Sequence, residues 1–380
     1  MRPAAFTSRL HDPRMASLLG IWLGVAFGTA FGTGLVSHFM QHPPDGFSWP
    51  SRPVWFYRFT QGLHVTSGLV SVPLLLAKLW TVYPRLWEWP PVRGVAHAAE
   101  RISIIPLIAG AIFQLATGIA NIAQWYPFRF FFTVTHYWVA WITIGALIVH
   151  ITAKITIVRA NVGRDRAART HLSDRISQPE PADDGLSRRG FGLAVGAAAG
   201  VVTVTTAGQF VPGLGDTVLL APRKPGVGPQ GLPVNRTALA AGVVVIARDR
   251  GYQLDVVGPR PFSLSLDELY ARSLVTVRLP ITCVEGWAAD ATWTGVRLAD
   301  LLDRADVPAH ASVRVESLER RGGYRTSVVD PPHARDPATL IATRLGGAVL
   351  ALDHGYPARL IAPNRPGVLQ TKWVHRVVMV

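Results

Sequence analysis

The sequence predicts an all-α transmembrane bundle of five helices followed by an α+β domain. Apolar residues make up 49% of the 380-residue chain and the mean hydropathy is +0.25, high for a protein that folds in water. The excess lies before residue 212, in runs near 16–38, 61–83, 102–123, 134–157 and 191–211. Each is about long enough to cross a ~30 Å hydrocarbon layer. Beyond a Pro/Gly-rich stretch the pattern changes to short alternating runs interleaved with brief amphipathic ones, the signature of a mixed sheet-and-helix domain.

The positions of the arginines orient the runs. Arg2, Arg9 and Arg14 precede the first, Arg85, Arg93 and Arg101 lie between the second and third, and seven from Arg159 to Arg189 stand before the fifth. The other two loops hold Arg52, Arg58 and Arg129. This bias places the N-terminus in the cytoplasm and, after five crossings, the C-terminal domain outside a plasma membrane. The first run is longer than the apolar part of a signal peptide and lacks a small-residue cleavage site, so it reads as an anchor. A net charge of +14 raises nucleic acid as a partner, but cations gathered at the ends of apolar runs serve membrane topology, and no nucleic-acid partner is expected.

The boundaries follow: a four-helix membrane domain over 1–157, a cytoplasmic linker over 158–190, a fifth crossing over 191–211, a connector over 212–231, and an outer domain over 232–380. The linker ends in Ser187-Arg188-Arg189-Gly190-Phe191, before a weakly apolar Gly/Ala-rich run. That resembles a twin-arginine export signal, which suits a domain folded around its cofactor before export.

Two histidines on the fourth run, His136 and His150, are 14 residues apart, about 21 Å along a helix and nearly four turns. Both rings project from roughly one face at opposite membrane depths, the geometry for two stacked haems. His64 on the second run matches the depth of His136, and His97 at the start of the third matches His150. Ionisable groups in hydrocarbon are costly and so mark function, whereas a single such histidine reads first as an interhelical hydrogen-bonding residue or an interfacial ring. With four at paired depths, residues 1–157 resemble the di-haem cytochrome b membrane subunits. That resemblance implies two b haems, ligated by His64, His97, His136 and His150, that exchange electrons with membrane quinone or quinol.

In the outer domain YQLDVVG, LVTVRLPITC, ARLIAP and VHRVVMV read as strands, and SLDELYAR and VRLADLLDRA as helices. Cys283, the only cysteine in the chain, falls at the end of the LVTVRLPITC strand. A lone thiol closes no intramolecular disulfide, which leaves a nucleophile, a metal ligand or a small packing group. A strand end before a loop is expected to expose it on a rigid support.

The stretch CVEGW, then WTGVRLADLL, and far downstream LDHGYPARLIAPNRPGVLQTKWVHRV, resembles the sulfite oxidase family of molybdopterin enzymes, in the branch of methionine-sulfoxide reductase catalytic subunits. The resemblance implies a molybdenum-molybdopterin cofactor with Cys283 as the thiolate on the metal. It places Arg359 and Gln370-Thr371-Lys372 at the pterin's terminal phosphate, His354 and Ser317 on the pterin, Asn235-Arg236-Thr237 at the mouth of the cofactor pocket, and Tyr324 near the metal. Sulfite oxidases follow this cysteine closely with arginines that bind the anion. Here Glu285 and Asp290 follow instead.

The expected function is a membrane-anchored molybdenum oxidoreductase that passes electrons between quinone and an extracytoplasmic substrate, with reduction of an uncharged S-oxide or N-oxide favoured by the missing arginines. Two alternatives are an outward-facing sulfite dehydrogenase with reversed electron flow, and an electron-transfer or binding subunit without catalysis of its own.

Overall fold

The structure is a computed structural model that describes residues 9–86, 94–162, 186–272 and 274–380. It forms two compact units: Met1–Thr33 with Leu63–Thr206, and Gly34–Gly62 with Ala207–Val380. The five apolar runs are the helices α1 (Pro13–Gln41), α2 (Phe56–Leu86), α3 (Val95–Ala123), α4 (Phe132–Val162) and α5 (Arg188–Ala207). Each contains a segment long and apolar enough to cross a membrane. Trp22, Ile102, Ile105, Trp138 and Leu193 are exposed on their surfaces.

Within the first unit α1, α2 and α5 meet through Leu19, Leu74, Ala77 and Val195. The pair α3 and α4 closes where Gly110 faces Thr143; a Cβ at Gly110 would fall 2.2 Å from Thr143 Oγ1. Small residues of this kind let membrane helices approach closely.

The second unit holds two five-stranded sheets. One runs β2 (Phe262–Ser265), β1 (Gln253–Val257), β10 (Val374–Met379), β5 (Val313–Ser317), β6 (Thr326–Val329). The other runs β3 (Val275–Cys283), β4 (Trp287–Arg297), β7 (Leu340–Leu345), β8 (Ala348–Val349), with β9 (Arg359–Ile361) also on β7. Among the described residues β1 and β10 pair in parallel and the other pairs are antiparallel. Short helices α6 (Ala238–Ala241), α7 (Leu266–Ala271), α8 (Leu298–Arg304) and α9 (Pro331–Ala334) connect them.

Alternation builds the cores. Val313 and Val315 of β5 point inward with Leu254 and Val256 of β1, and α8 adds Leu298, Leu301 and Leu302. A capping box between Ser265 and Glu268 starts α7. Gly295 sits at a register break between β4 and β7, where a Cβ would come 2.2 Å from Ile341 O. No side chain fits there.

The segment 34–62 is built into this unit by polar clamps. Arg52 forks onto both Asp336 oxygens at 3.0 Å each, and Ser51 Oγ donates to the same carboxylate at 2.8 Å. Asn364 accepts from the Tyr57 backbone N–H at 2.9 Å and donates to Pro50 O at 2.8 Å. Forked, charge-assisted bonds to a buried carboxylate fix geometry as well as add energy.

Candidate functional site

The hairpin between β3 and β4 positions the thiol. Cys283 pairs across it with Trp287, and Gly286, at φ 83°, makes the tight turn by donating from its N–H to Cys283 O. The cysteine does close its strand, but it is only 1% exposed, against the expectation of an exposed strand end. The turn folds Trp287 back over it, and Asn235 covers the sulfur. Asn235 Nδ2 donates to Cys283 Sγ, while its Oδ1 accepts from Trp287 Nε1 at 2.7 Å and Arg223 Nη1 at 2.9 Å. Burial pushes the thiol up to about 11, against the pull of Asn235, Arg223, Lys372 and Arg359. An unligated Cys283 is therefore protonated at neutral pH, and a metal would have to displace that proton.

The rest of CVEGW is clamped from outside the two sheets. Gln61 Nε2 donates to Val284 O at 3.4 Å, Arg223 forms an ion pair with Glu285, and Gln209 Nε2 donates to Gly286 O at 3.3 Å. Among the described residues no cluster of three or more His, Cys, Asp or Glu side chains is placed to hold a metal ion.

Two cations lie beside that thiol, within electrostatic reach of it. Gly355, at φ 110°, packs between them: a Cβ there would lie 3.1 Å from Lys372 Cβ and 3.2 Å from Arg359 Cβ. Arg359 is buried at 4% exposure, donates from Nη1 to His354 O at 3.3 Å, stands 5.4 Å from the Trp293 ring centroid, and leaves Nε without a hydrogen-bond partner. Lys372 Nζ donates to Asp353 O at 2.7 Å and Arg236 O at 2.9 Å. Burial, then the Arg359 charge, pushes Lys372 down to about 7, and burial pushes Arg359 down to about 10. A buried and a half-buried cation, both held below their usual range, fit a group that brings its own negative charge, such as a phosphate.

The other predicted residues fall around this pair. His354 Nε2 meets Pro229 O at 2.6 Å, and burial followed by Arg359 takes its imidazole down to about 4, so it is neutral. Arg236 pairs with Glu319, whose backbone N–H donates to Ser317 Oγ at 3.1 Å. Thr237 caps α6, and Ala238 N–H donates to Asp353 Oδ1 at 2.7 Å. Gln370 and Thr371 turn to the protein: Gln370 Nε2 donates to Arg365 O at 3.0 Å, and Thr371 Oγ1 meets Ser327 Oγ at 2.8 Å. Tyr324 donates to Gln41 Oε1 at 3.2 Å, and burial and then the nearby Cys283 raise its phenol.

The two acids after the cysteine stand differently from the expectation that both sit beside a metal ligand. Asp290 lies opposite Pro280, three positions down the strand from Cys283 or about 10 Å, and pairs with Arg58 at 2.9 Å. Glu285 is neutralised by Arg223. Sequence reasoning missed Arg223, Gln209, Gln61 and Asp353. Asp353 is adjacent to His354 in the quoted motif and could have been found there; the other three stand in a connector and at helix ends with no motif around them.

In the helical unit, His64 and His136 come together, with ring centroids 6.4 Å apart at 73°. His64 Nδ1 meets Ala30 O at 2.8 Å and His136 Nδ1 meets Thr117 Oγ1 at 3.0 Å, so these bonds engage Nδ1 of each ring rather than Nε2. His150 lies on α4; the side chain of His97 lies outside the described residues. Arg188 and Arg189 open α5, where Ser187 Oγ accepts from Gly190 N at 3.0 Å and Arg188 pairs with Asp12 at 2.8 Å.

Residues 241–380 match the family model described as "Oxidoreductase molybdopterin binding domain". The chain is 32% identical over 126 residues to the protein-methionine-sulfoxide reductase catalytic subunit MsrP of Xanthomonas campestris, covering 30% of this chain and 39% of that protein. It is 28% identical over 155 residues to mitochondrial sulfite oxidase of Mus musculus, covering 33% and 28%. A likeness to the sulfane dehydrogenase SoxCD structure from Paracoccus pantotrophus has a TM-score of 0.33 at 20% identity, covering 41% of this chain and 44% of that one. The chain spans less than half the length of these curated relatives. The likeness to molybdopterin-binding oxidoreductases lies in the C-terminal region.

Proposed function

We propose that this protein is a membrane-anchored molybdenum oxidoreductase that reduces an uncharged S-oxide or N-oxide outside the cytoplasm, drawing electrons from membrane quinol through two b haems. The observation that carries the reading is the arrangement around Cys283, where a buried thiol, covered by Asn235, stands within electrostatic reach of Lys372 and of Arg359, whose Nε has no hydrogen-bond partner. Cys283 would ligate the metal; Arg359 and Lys372 would hold the pterin's terminal phosphate, with His354, Ser317 and Asn235-Arg236-Thr237 around the pterin. Bound there, molybdenum supplies oxygen-atom and two-electron exchange.

The chain's own groups do the rest. Asn235 and the clamps on CVEGW hold the thiolate in one direction, and Trp287 and Trp293 keep water from the buried side. Tyr324, partly exposed and within electrostatic reach of Cys283, would donate the proton that a departing oxygen needs. The overall change, sulfoxide plus two electrons and two protons to sulfide and water, needs such a donor.

The haem reading draws on His64 and His136. These two imidazoles, with ring centroids 6.4 Å apart, would hold one haem between them. His97 and His150 would hold the second haem. The five apolar helices support anchoring in a plasma membrane, and the Arg188-Arg189 pair supports twin-arginine export of the loaded outer domain.

A sulfite dehydrogenase running electrons the other way is the second reading, and Arg223 favours it, because it returns a guanidinium to the neighbourhood of Cys283. The 32% identity to the MsrP subunit favours S-oxide reduction. Metal analysis and redox spectra of the purified protein test the architecture: one molybdenum per chain and two bis-imidazole haem signals are expected. Steady-state kinetics with methionine sulfoxide and a reduced donor, against sulfite and an oxidised acceptor, test the direction. A larger kcat/KM for sulfite would overturn it.

A further inference from the structure

A buried guanidinium needs an anion, and the one Arg223 has belongs to the protein. Its side chain is 8% exposed, that of its partner Glu285 is 21% exposed. The arginine is also fixed from behind: Nη1 donates to Asn235 Oδ1 at 2.9 Å, and its carbonyl accepts from Gln209 Nε2 at 3.3 Å. Through Asn235 it is one side chain from Cys283 Sγ, and its charge reaches that sulfur. The more exposed carboxylate therefore covers a cation locked beside the metal-ligating loop.

We propose that Glu285 is a specificity-determining residue, a built-in carboxylate that occupies the position an oxyanion substrate would take on Arg223. This rests on the reading of the site as one for neutral S-oxides and explains that selectivity by occupation of the arginine. Glu285 is covalently part of the loop, two residues from Cys283, so its effective concentration at Arg223 exceeds that of any dissolved oxyanion. A dianion approaching the site meets a neutralised arginine and a carboxylate in front of it; a dipolar S=O group meets no such repulsion.

The test uses the full-length protein in detergent with sulfate as the probe. Wild type should show no saturable thermal stabilisation by sulfate. Glu285→Gln should show one, with sulfate binding about tenfold tighter or more, the worth of one charge-assisted hydrogen bond. Arg223→Gln combined with Glu285→Gln should lose it. In sulfoxide reduction, sulfate should become a competitive inhibitor of the single variant alone, raising KM with kcat unchanged. Equal sulfate responses in wild type and Glu285→Gln, or in the single and double variants, would overturn the proposal.

A second variant covers failure to fold. Glu285→Ala leaves room for a small carboxylate, so acetate should restore its stability and yield; no restoration counts against the pairing. Because thermal stabilisation needs no turnover, the two readings separate. A sulfate response as expected in a protein that reduces no S-oxide would sink the proposed activity and leave the pairing intact. The converse result would sink only the pairing.

Discussion

Lys372→Met should stabilise the cofactor-free protein while abolishing its ability to keep the cofactor, two effects of opposite sign from one side chain. Among the protein's own groups, Lys372 is pushed from 10.5 to about 7 by burial and by Arg359. At pH 7 that corresponds to a penalty on the order of 4 kcal/mol relative to the unfolded chain. Methionine fills a similar volume without the charge, and forfeits the two hydrogen bonds to Asp353 O and Arg236 O at about 1 kcal/mol each. The net gain is about 2 kcal/mol, or roughly 4–8 °C in the melting of a unit this size. The pH dependence has a definite sign. Between about 7 and 10.5 the unfolded lysine keeps its proton and the folded one does not, so wild-type stability rises with pH across that window. The variant should lose this rise. Thermal unfolding of protein from a host unable to make molybdopterin, at pH 7 and pH 9, measures both effects, and molybdenum content after expression in a competent host measures retention. A variant that melts below wild type at both pH values, or keeps its molybdenum, would refute the reasoning.

Three further outcomes are expected. Cys283→Ser should give a folded protein with its haem spectrum intact, no bound molybdenum by elemental analysis and no turnover, since a hydroxyl replaces a soft thiolate poorly. His136→Ala should remove one of two haem signals and leave the other, as should His64→Ala; a different haem lost in each would break the pairing drawn from their 6.4 Å approach. His333, only 4% exposed, is taken down to about 4 by burial and then Arg365. Below pH 6.5 the unfolded chain gains a proton there that the folded chain refuses, so stability falls by on the order of 3 kcal/mol toward pH 4. His333→Gln should flatten that limb of a melting-against-pH curve.

How much was legible divides by range. The five helices came from unbroken apolar runs, and β1, β3, β9 and β10 from local alternation, because both signals live within a dozen residues. The two-residue β8 carries no periodicity, and the parallel pairing of β1 with β10 joins segments more than a hundred residues apart. Cys283 could be placed at a strand end by pattern, but its burial depends on Asn235 and on the turn that brings Trp287 back. The histidine pair His64 and His136 was legible because helix geometry converts spacing into depth.

The charge of the site was the least legible part, for a physical reason. Read locally, CVEGWAAD carries two acids and no cation, and it predicts a negative surround for the metal ligand. In the fold each acid meets an arginine from far along the chain, Arg58 for Asp290 and Arg223 for Glu285, and two more cations arrive from the opposite end of the domain. A buried ionised side chain must be matched by an opposite charge close by, wherever in the sequence that charge originates. Acids near a metal-ligand motif are therefore evidence that cations exist elsewhere, and their sign alone says nothing about the sign the substrate meets. What the substrate meets is set by which member of each pair is the more exposed. At Arg223 that member is Glu285, so on the proposal above selectivity against anions would follow from the order of the pair rather than from a missing arginine.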